Sequence, residues 1–387
     1  MAKVAEGEVN DPERQRRLRM HAETLAARLS EQEAVLAVWL SGSVARGPVG
    51  PASDLDLHVV ALGKLDNEVP PWRFGPEGVI ENVHVVLRED LEEGLHRLAD
   101  PTALAEWLHR TALGDELQGS ECLFNRKDWS WIEDGVGDLL TRRLHAEVVA
   151  ALAAQHAATA EQWAIRAEQD LSAGSAYDGH QKLRYATQSL LVAALIRCDW
   201  TIRGSKKRPE IARAYADDPT VGRTLALLDD VVGIAEITGS HARRICAARL
   251  ELRNLLLEEL RRLCAANTDQ ERIRLRLGKE IEFQKRHNAF AVDYYAPLLD
   301  GGFFKGPVNH IRALSGFARV PERLCHCLDW DLVAPIGQWF RQVGSPRQLL
   351  DAWLKIAELS PTLATVGGWA KVVRAEAQRA AHDQSEA

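Results

Sequence analysis

Two aspartates, Asp54 and Asp56, lie one residue apart in the run SDLDLHVV, shortly after a Gly-Ser pair in LSGSVARG. In an extended strand, side chains at i and i+2 project from the same face. Their carboxylates therefore converge, and like charges held that close repel one another unless a cation or a basic partner sits with them. Magnesium takes carboxylate oxygens together with phosphate oxygens and keeps several of its waters. The Gly-Ser turn supplies the complementary part. Gly42 allows a backbone to approach a ligand closely, and a helix starting just after the turn favours an anion at its N-terminus. The hydroxyls of Ser41 and Ser43 are donors for phosphate oxygens, and Arg46 offers charge-assisted bonds to the same group. The constellation describes a place for Mg²⁺ and a polyphosphate on two adjacent strands.

Several elements must hold these residues. AVLAVWL, residues 34–40, is too short and too apolar for a surface helix and reads as a buried strand. In the following strand Leu55, Leu57 and Val59 share one face, and Asp54, Asp56 and His58 the other. GVIENVHVVL, residues 78–87, is a third strand. A helix over residues 18–30 precedes them, helices over 88–98 and 102–111 follow, and a short strand at 120–124 completes a mixed unit. From about residue 129 the chain changes to long helices rich in alanine and leucine, over 144–171 and 178–202. Ile245, Leu252, Leu256, Leu260 and Leu263 mark another. Thr268 with Glu271, Ser345 with Gln348, and Ser360-Pro361 are helix-start patterns in the last third, and GGFFKGPVNH is a loop. The expected fold class is α+β, a mixed sheet with helices followed by a large all-helical region. The expected segments are a flexible arm at 1–17, a catalytic domain at 18–128, a helical domain at 129–266 and an additional helical region at 267–387.

Composition bounds the function classes. The 387 residues are 46% hydrophobic and 27% charged, with a net charge of −7. That balance suits a soluble globular protein and disfavours nucleic acid as a bulk partner, since such binders carry a basic face. Six cysteines are scattered through apolar patterns and read as reduced thiols; Cys325 and Cys327 lack a second ligand pair at zinc spacing. The N-terminal MAKVAEGEVNDPERQRR has no apolar signal-peptide core, and no run reaches membrane-spanning length. The expected location is the cytoplasm, with no membrane partner.

The order strand, Gly-Ser, helix, then Asp-x-Asp in a second strand resembles the nucleotidyltransferase superfamily with its DNA polymerase beta-like fold. The Ala-Arg-Gly after Gly-Ser and the serine before Asp54 are similar to the kanamycin nucleotidyltransferase and aminoglycoside adenylyltransferase branch. The resemblance implies two Mg²⁺ ions held by Asp54, Asp56 and a third acid, and an NTP donor, with ATP expected. It implies Gly42, Ser43, Arg46 and Ser53 as nucleotide contacts. The acceptor hydroxyl attacks the α-phosphorus in line, and pyrophosphate leaves. The third acid belongs on the strand IENVHVV. Strict alternation puts Asn82 and His84 on one face and Glu81 on the other, whereas a bulge would rotate Glu81 into place. Glu81 is preferred narrowly over Asn82 as catalytic residue and metal ligand. His58 and His84 read as hydrogen-bonded neighbours.

The segment YDGHQKLRYATQSLLVAALIRCDWTIRGSKKRPEIARAY is similar to the helical domain of the same branch, which implies Lys206 and Lys207 as triphosphate contacts. Lys182 and Arg184 read as a solvated helix face. Glu161, Glu168, Asp170 and Asp178 have the right type for an acceptor-activating base, but spacing selects none of them. The expected activity is transfer of a nucleoside monophosphate to a hydroxyl of a small molecule, an aminoglycoside-like antibiotic or other natural product. A protein-nucleotidylating enzyme of the toxin–antitoxin type and a non-catalytic nucleotide-binding relative are the alternatives. A homodimer through the helical half is compatible with the sequence.

Overall fold

A computed structural model describes residues 11–47, 53–63, 72–74, 79–111, 119–198, 214–268, 270–300 and 363–382, with a few positions between them. The chain divides into two compact units, residues 1–155 and 156–387. The first holds a mixed sheet with helices and the second is helical, so the fold is α+β.

Helix α1, Pro12–Ser30, opens the first unit. It starts earlier than its apolar spacing predicts, inside the stretch expected as a loose arm. The cause is a cap, because Asp11 accepts a hydrogen bond from the backbone N–H of Arg14 at 2.8 Å and Pro12 occupies the first turn. Periodicity is silent about a polar first turn. Further along, α1 buries Leu18, Ala22, Leu25, Ala26 and Leu29.

Those residues pack on a five-stranded sheet made of β1 (Val35–Ser41), β2 (Leu55–Ala61), β3 (Trp72–Phe74), β4 (Ile80–Leu87) and β5 (Glu121–Asn125). Their order is β3-β4-β2-β1-β5. β2 and β4 run parallel, while β1–β2, β1–β5 and β3–β4 are antiparallel. Every residue of β1 is buried, which explains its unbroken apolar run. Val38, Leu40, Leu55, Leu57, Val59 and Val83 form the core under α1. Arg126 ties the end of α1 to the sheet. Its Nε donates to the Val35 carbonyl at 3.0 Å, and its Nη2 to Ser30 and Gln32 carbonyls at 3.1 and 3.0 Å. After α1 the described residues of this unit also form α2 (Gly42–Arg46), α3 (Arg88–His96), α4 (Pro101–Thr111) and α5 (Trp131–Arg142). The division between the units falls within the next helix, α6 (Ala146–Ser172).

In the second unit α7 (Ala176–Arg197) packs with α8 (Pro219–Val232) and α11 (Leu363–His382), and α9 (Gly239–Ala266) packs with α10 (Glu271–Asp300). Ala160, Ala164 and Ala167 of α6 face Leu183, Ala186 and Leu190 of α7 and Val366, Ala370 and Val373 of α11 in one core. Small side chains let these helix axes approach closely. α5 and α8 are additional to the helices that apolar spacing predicts. For α8 the start is nevertheless written in the chain, since Asp218 accepts from the N–H groups of Thr220 and Val221, both at 2.8 Å, with Pro219 between.

The expected helix starts at Ser345 and Ser360, the Cys325 thiol and the Lys206–Lys207 pair lie outside the described residues. Cys122, Cys198, Cys246, Cys264 and Cys327 are free thiols. Burial pushes Cys122 and Cys246 up to about 11, helped at Cys122 by the Glu133 charge, so both stay protonated. Among the described residues no helix is long and apolar enough to cross a membrane.

Candidate nucleotide site at the Gly-Ser turn

β1 ends at Ser41, and the backbone turns at Gly42 with φ 70°. A side chain at Gly42 is excluded twice. The left-handed conformation disfavours L residues, and a Cβ there would sit 2.3 Å from Oδ2 of Asp56. The turn therefore lies directly against the second aspartate.

Strand register decides what else joins it. β1 aligns Ser41 with Asp56, and β4 aligns Asn82 with Asp56. The β2–β4 pairing runs from Leu55↔Glu81 to Ala61↔Leu87 without a shift. No bulge rotates Glu81, so strict alternation holds. Asn82 is the residue beside the aspartates; its Nδ2 donates to Asp56 Oδ1 at 2.8 Å and to Asp54 Oδ2 at 3.2 Å. Carboxylates only accept, so the amide nitrogen is the atom that faces them. Glu81 points into the opposite face, 1% exposed, where its carboxylate accepts from His21 Nε2 of α1 at 2.5 Å. The geometry thus separates Glu81 from the residues it was expected to join, because a period of two without a bulge leaves it no route.

The remaining residues divide between the site and its support. Ser41 is 2% exposed, and its Oγ shares a hydrogen bond of 3.0 Å with His58 Nδ1. Its hydroxyl is thus committed to the sheet, and Ser43 is the half-buried hydroxyl of the turn. His58 stacks on His84 with ring centroids 4.8 Å apart, as neighbours on one sheet face. Ser53 is half-buried beside Asp54. Arg46 folds back, its Nε donating to the Gly42 carbonyl at 3.3 Å. Desolvation pulls its guanidinium below the ordinary arginine value while the Asp56 charge pulls it back up, which places a positive charge within reach of Asp56. Gly119, at φ 65°, makes room for this side chain, since a Cβ would meet Arg46 Cδ at 2.8 Å. Nothing in the sequence pattern links Gly119 to the site, which only the fold brings near.

The donor set is two carboxylates and one amide. Among the described residues no cluster of three or more His, Cys, Asp and Glu side chains is arranged to hold a metal. Two carboxylates on one face fit one hard divalent cation whose coordination is completed by phosphate and water oxygens. They do not supply the three carboxylates that a pair of ions was expected to use.

In the helical unit the polar residues are engaged structurally. Lys182 bonds Asp170, and Ser175 Oγ donates to Asp178. Arg184 is buried at 3% exposure, unlike the solvated face expected, and Asp178 is buried at 7%. Glu168 and Glu161 hold α11, accepting from Arg374 Nη1 and Gln378 Nε2, both at 2.9 Å.

Residues 22–100, which span the second half of α1, β1, the Gly-Ser turn, β2, β4 and α3, match a family model described as "Nucleotidyltransferase domain". No curated protein matches the chain. Among solved structures, a nucleotidyltransferase-like protein from Exiguobacterium sibiricum 255-15 is 16% identical. It covers 57% of this chain and 68% of its own at a TM-score of 0.30, a likeness too distant to fix any chemistry. The family match supports the nucleotidyltransferase superfamily for residues 22–100.

Proposed function

We propose that this protein transfers a nucleoside monophosphate from an NTP to a hydroxyl of a small molecule and releases pyrophosphate. One observation carries the reading: Asp54 and Asp56 converge beside the Gly42 turn, with Gly42 so close to Asp56 that no side chain fits between. Asp54 and Asp56 would hold a divalent cation, which when bound neutralises charge on the triphosphate. Gly42 lets the triphosphate approach the backbone, the Ser43 hydroxyl donates to its oxygens, and Arg46 adds a guanidinium. Asn82 keeps both carboxylates aimed at the same point. The acceptor oxygen forms the new bond to the α-phosphorus as the bond to the bridging oxygen breaks and pyrophosphate departs. The net charge of −7 suits a cationic acceptor such as an aminoglycoside.

The test is pyrophosphate release from each of the four NTPs with Mg²⁺ and a panel of aminoglycosides, beside the Asp54→Asn/Asp56→Asn double variant. Acceptor-dependent release that disappears in the variant is the expected result. Equal release from both proteins would rule out this site as its source. A second reading, a nucleotide-binding protein without turnover, draws on Asn82 standing beside the aspartates in place of an acid. Binding of a fluorescent nucleotide with no release across a wide acceptor panel would favour it.

A further inference from the structure

We infer that Asn82 sets the capacity of this site at one divalent cation per chain, and that an acid at this position would admit a second. The inference rests on the nucleotide-site reading above and deepens it.

Three observations converge. First, the register is fixed: Asn82 pairs with Asp56 in an unshifted parallel ladder, so no neighbouring acid on β4 can take its place. Glu81, the adjacent acid, is held on the other face by His21. Second, the Asn82 amide occupies one oxygen of each aspartate, Asp56 Oδ1 at 2.8 Å and Asp54 Oδ2 at 3.2 Å. An N–H donor and a cation cannot share the same lone pair, so each bond to Asn82 removes one of the lone pairs that a metal pair could use. Third, the Arg46 guanidinium already lies in the field of Asp56.

The number of carboxylate ligands then decides the count. Paired catalytic cations sit about 3.5–4 Å apart and bring four positive charges into one site. Here the protein offers two negative charges, and Arg46 offsets part of that. A second cation would face its neighbour and Arg46 without a protein carboxylate of its own. Asn82→Asp changes both terms at once, because it adds a negative charge and replaces an N–H donor with acceptor oxygens at the same backbone position.

The experiment counts bound Mn²⁺, used as the probe for the divalent ion, by electron paramagnetic resonance. It uses the full chain with a non-hydrolysable α,β-methylene ATP, alongside binding of a fluorescent ATP analogue. The expected stoichiometries are one ion in the wild type, none in Asp54→Asn/Asp56→Asn, and two in Asn82→Asp. Two ions in the wild type would overturn the inference whether or not the variant folds. So would a single ion in a folded Asn82→Asp protein. No Mn²⁺ with nucleotide still bound would remove the inference and leave a nucleotide site. Loss of both signals in the wild type would remove the site reading as well.

Discussion

β4 carries a polar residue on each of its two faces at one level of the sheet, and the two are treated in opposite ways. Toward α1, Glu81 is buried at 1% exposure and receives a hydrogen bond from His21. Toward the opposite face, Asn82 meets two half-buried carboxylates, Asp54 and Asp56. A buried acid with its donor is a closed arrangement, with the charge met by the fold itself. Two converging acids braced by a neutral amide keep a negative charge that Arg46 offsets only in part, which suits a bound cation. The difference teaches that the amount of acid in a strand says less than which side of the pleat it lies on. Glu81 has the chemistry of a ligand and the surroundings of a strut, and Asn82 has the reverse.

Substitutions should separate the two faces. Asp56→Asn is expected to lower nucleotidyl transfer on the order of 10³-fold, the scale on which a preorganised electrostatic contact acts in a reacting site. Its thermal midpoint should hold or rise, because the change removes like-charge repulsion with Asp54. A variant that melts early and loses activity in proportion would make Asp56 a structural residue. Glu81→Ala should do the opposite. It strips the partner from His21 Nε2 and opens a void under α1, at a cost of about 1–3 kcal/mol in chemical denaturation. His21 keeps some contact with solvent, its side chain being 24% exposed, so the lower half of that range is expected. Activity measured well below the melting transition should change little. A loss as deep as that of Asp56→Asn with stability intact would return Glu81 to the site.

Much of this was readable from the chain. β1, β2, β4 and β5 follow apolar runs and alternation, and the Gly42, Asp54 and Asp56 cluster stands where spacing puts it. The choice between Glu81 and Asn82 was a choice between alternation and a bulge. A bulge is a local departure from the ladder that one strand's own sequence does not announce. β3 is three residues in a stretch rich in proline and glycine, too short to show a period. The first turn of α1 is polar and is fixed by the Asp11 cap. Arg184 looked solvated because a helix wheel of mixed charge does not reveal how many neighbours will cover it; α6, α8 and α11 pack around α7, and Arg184 is buried. Likewise Ser41 was equivalent to Ser43 by type, and only the pairing of β1 with β2 turned its hydroxyl toward His58.

That last distinction gives the smallest and sharpest test of the aspartate face. Ser41 and Ser43 flank Gly42, yet the structure assigns one hydroxyl to the sheet and the other to the turn. Ser41→Ala should cost about 1 kcal/mol, the worth of one buried hydrogen bond whose partner, His58 Nδ1, is left behind. Its KM for NTP should stay within about twofold, since a phosphate contact worth 1.4 kcal/mol would move it tenfold. Ser43→Ala should show the converse pattern, a raised KM with an unchanged denaturation midpoint. If Ser41→Ala raised KM tenfold without loss of stability, its hydroxyl would have to leave His58 when nucleotide binds. The aspartate face would then be a rearranging surface, unlike the fixed pair at Glu81 and His21.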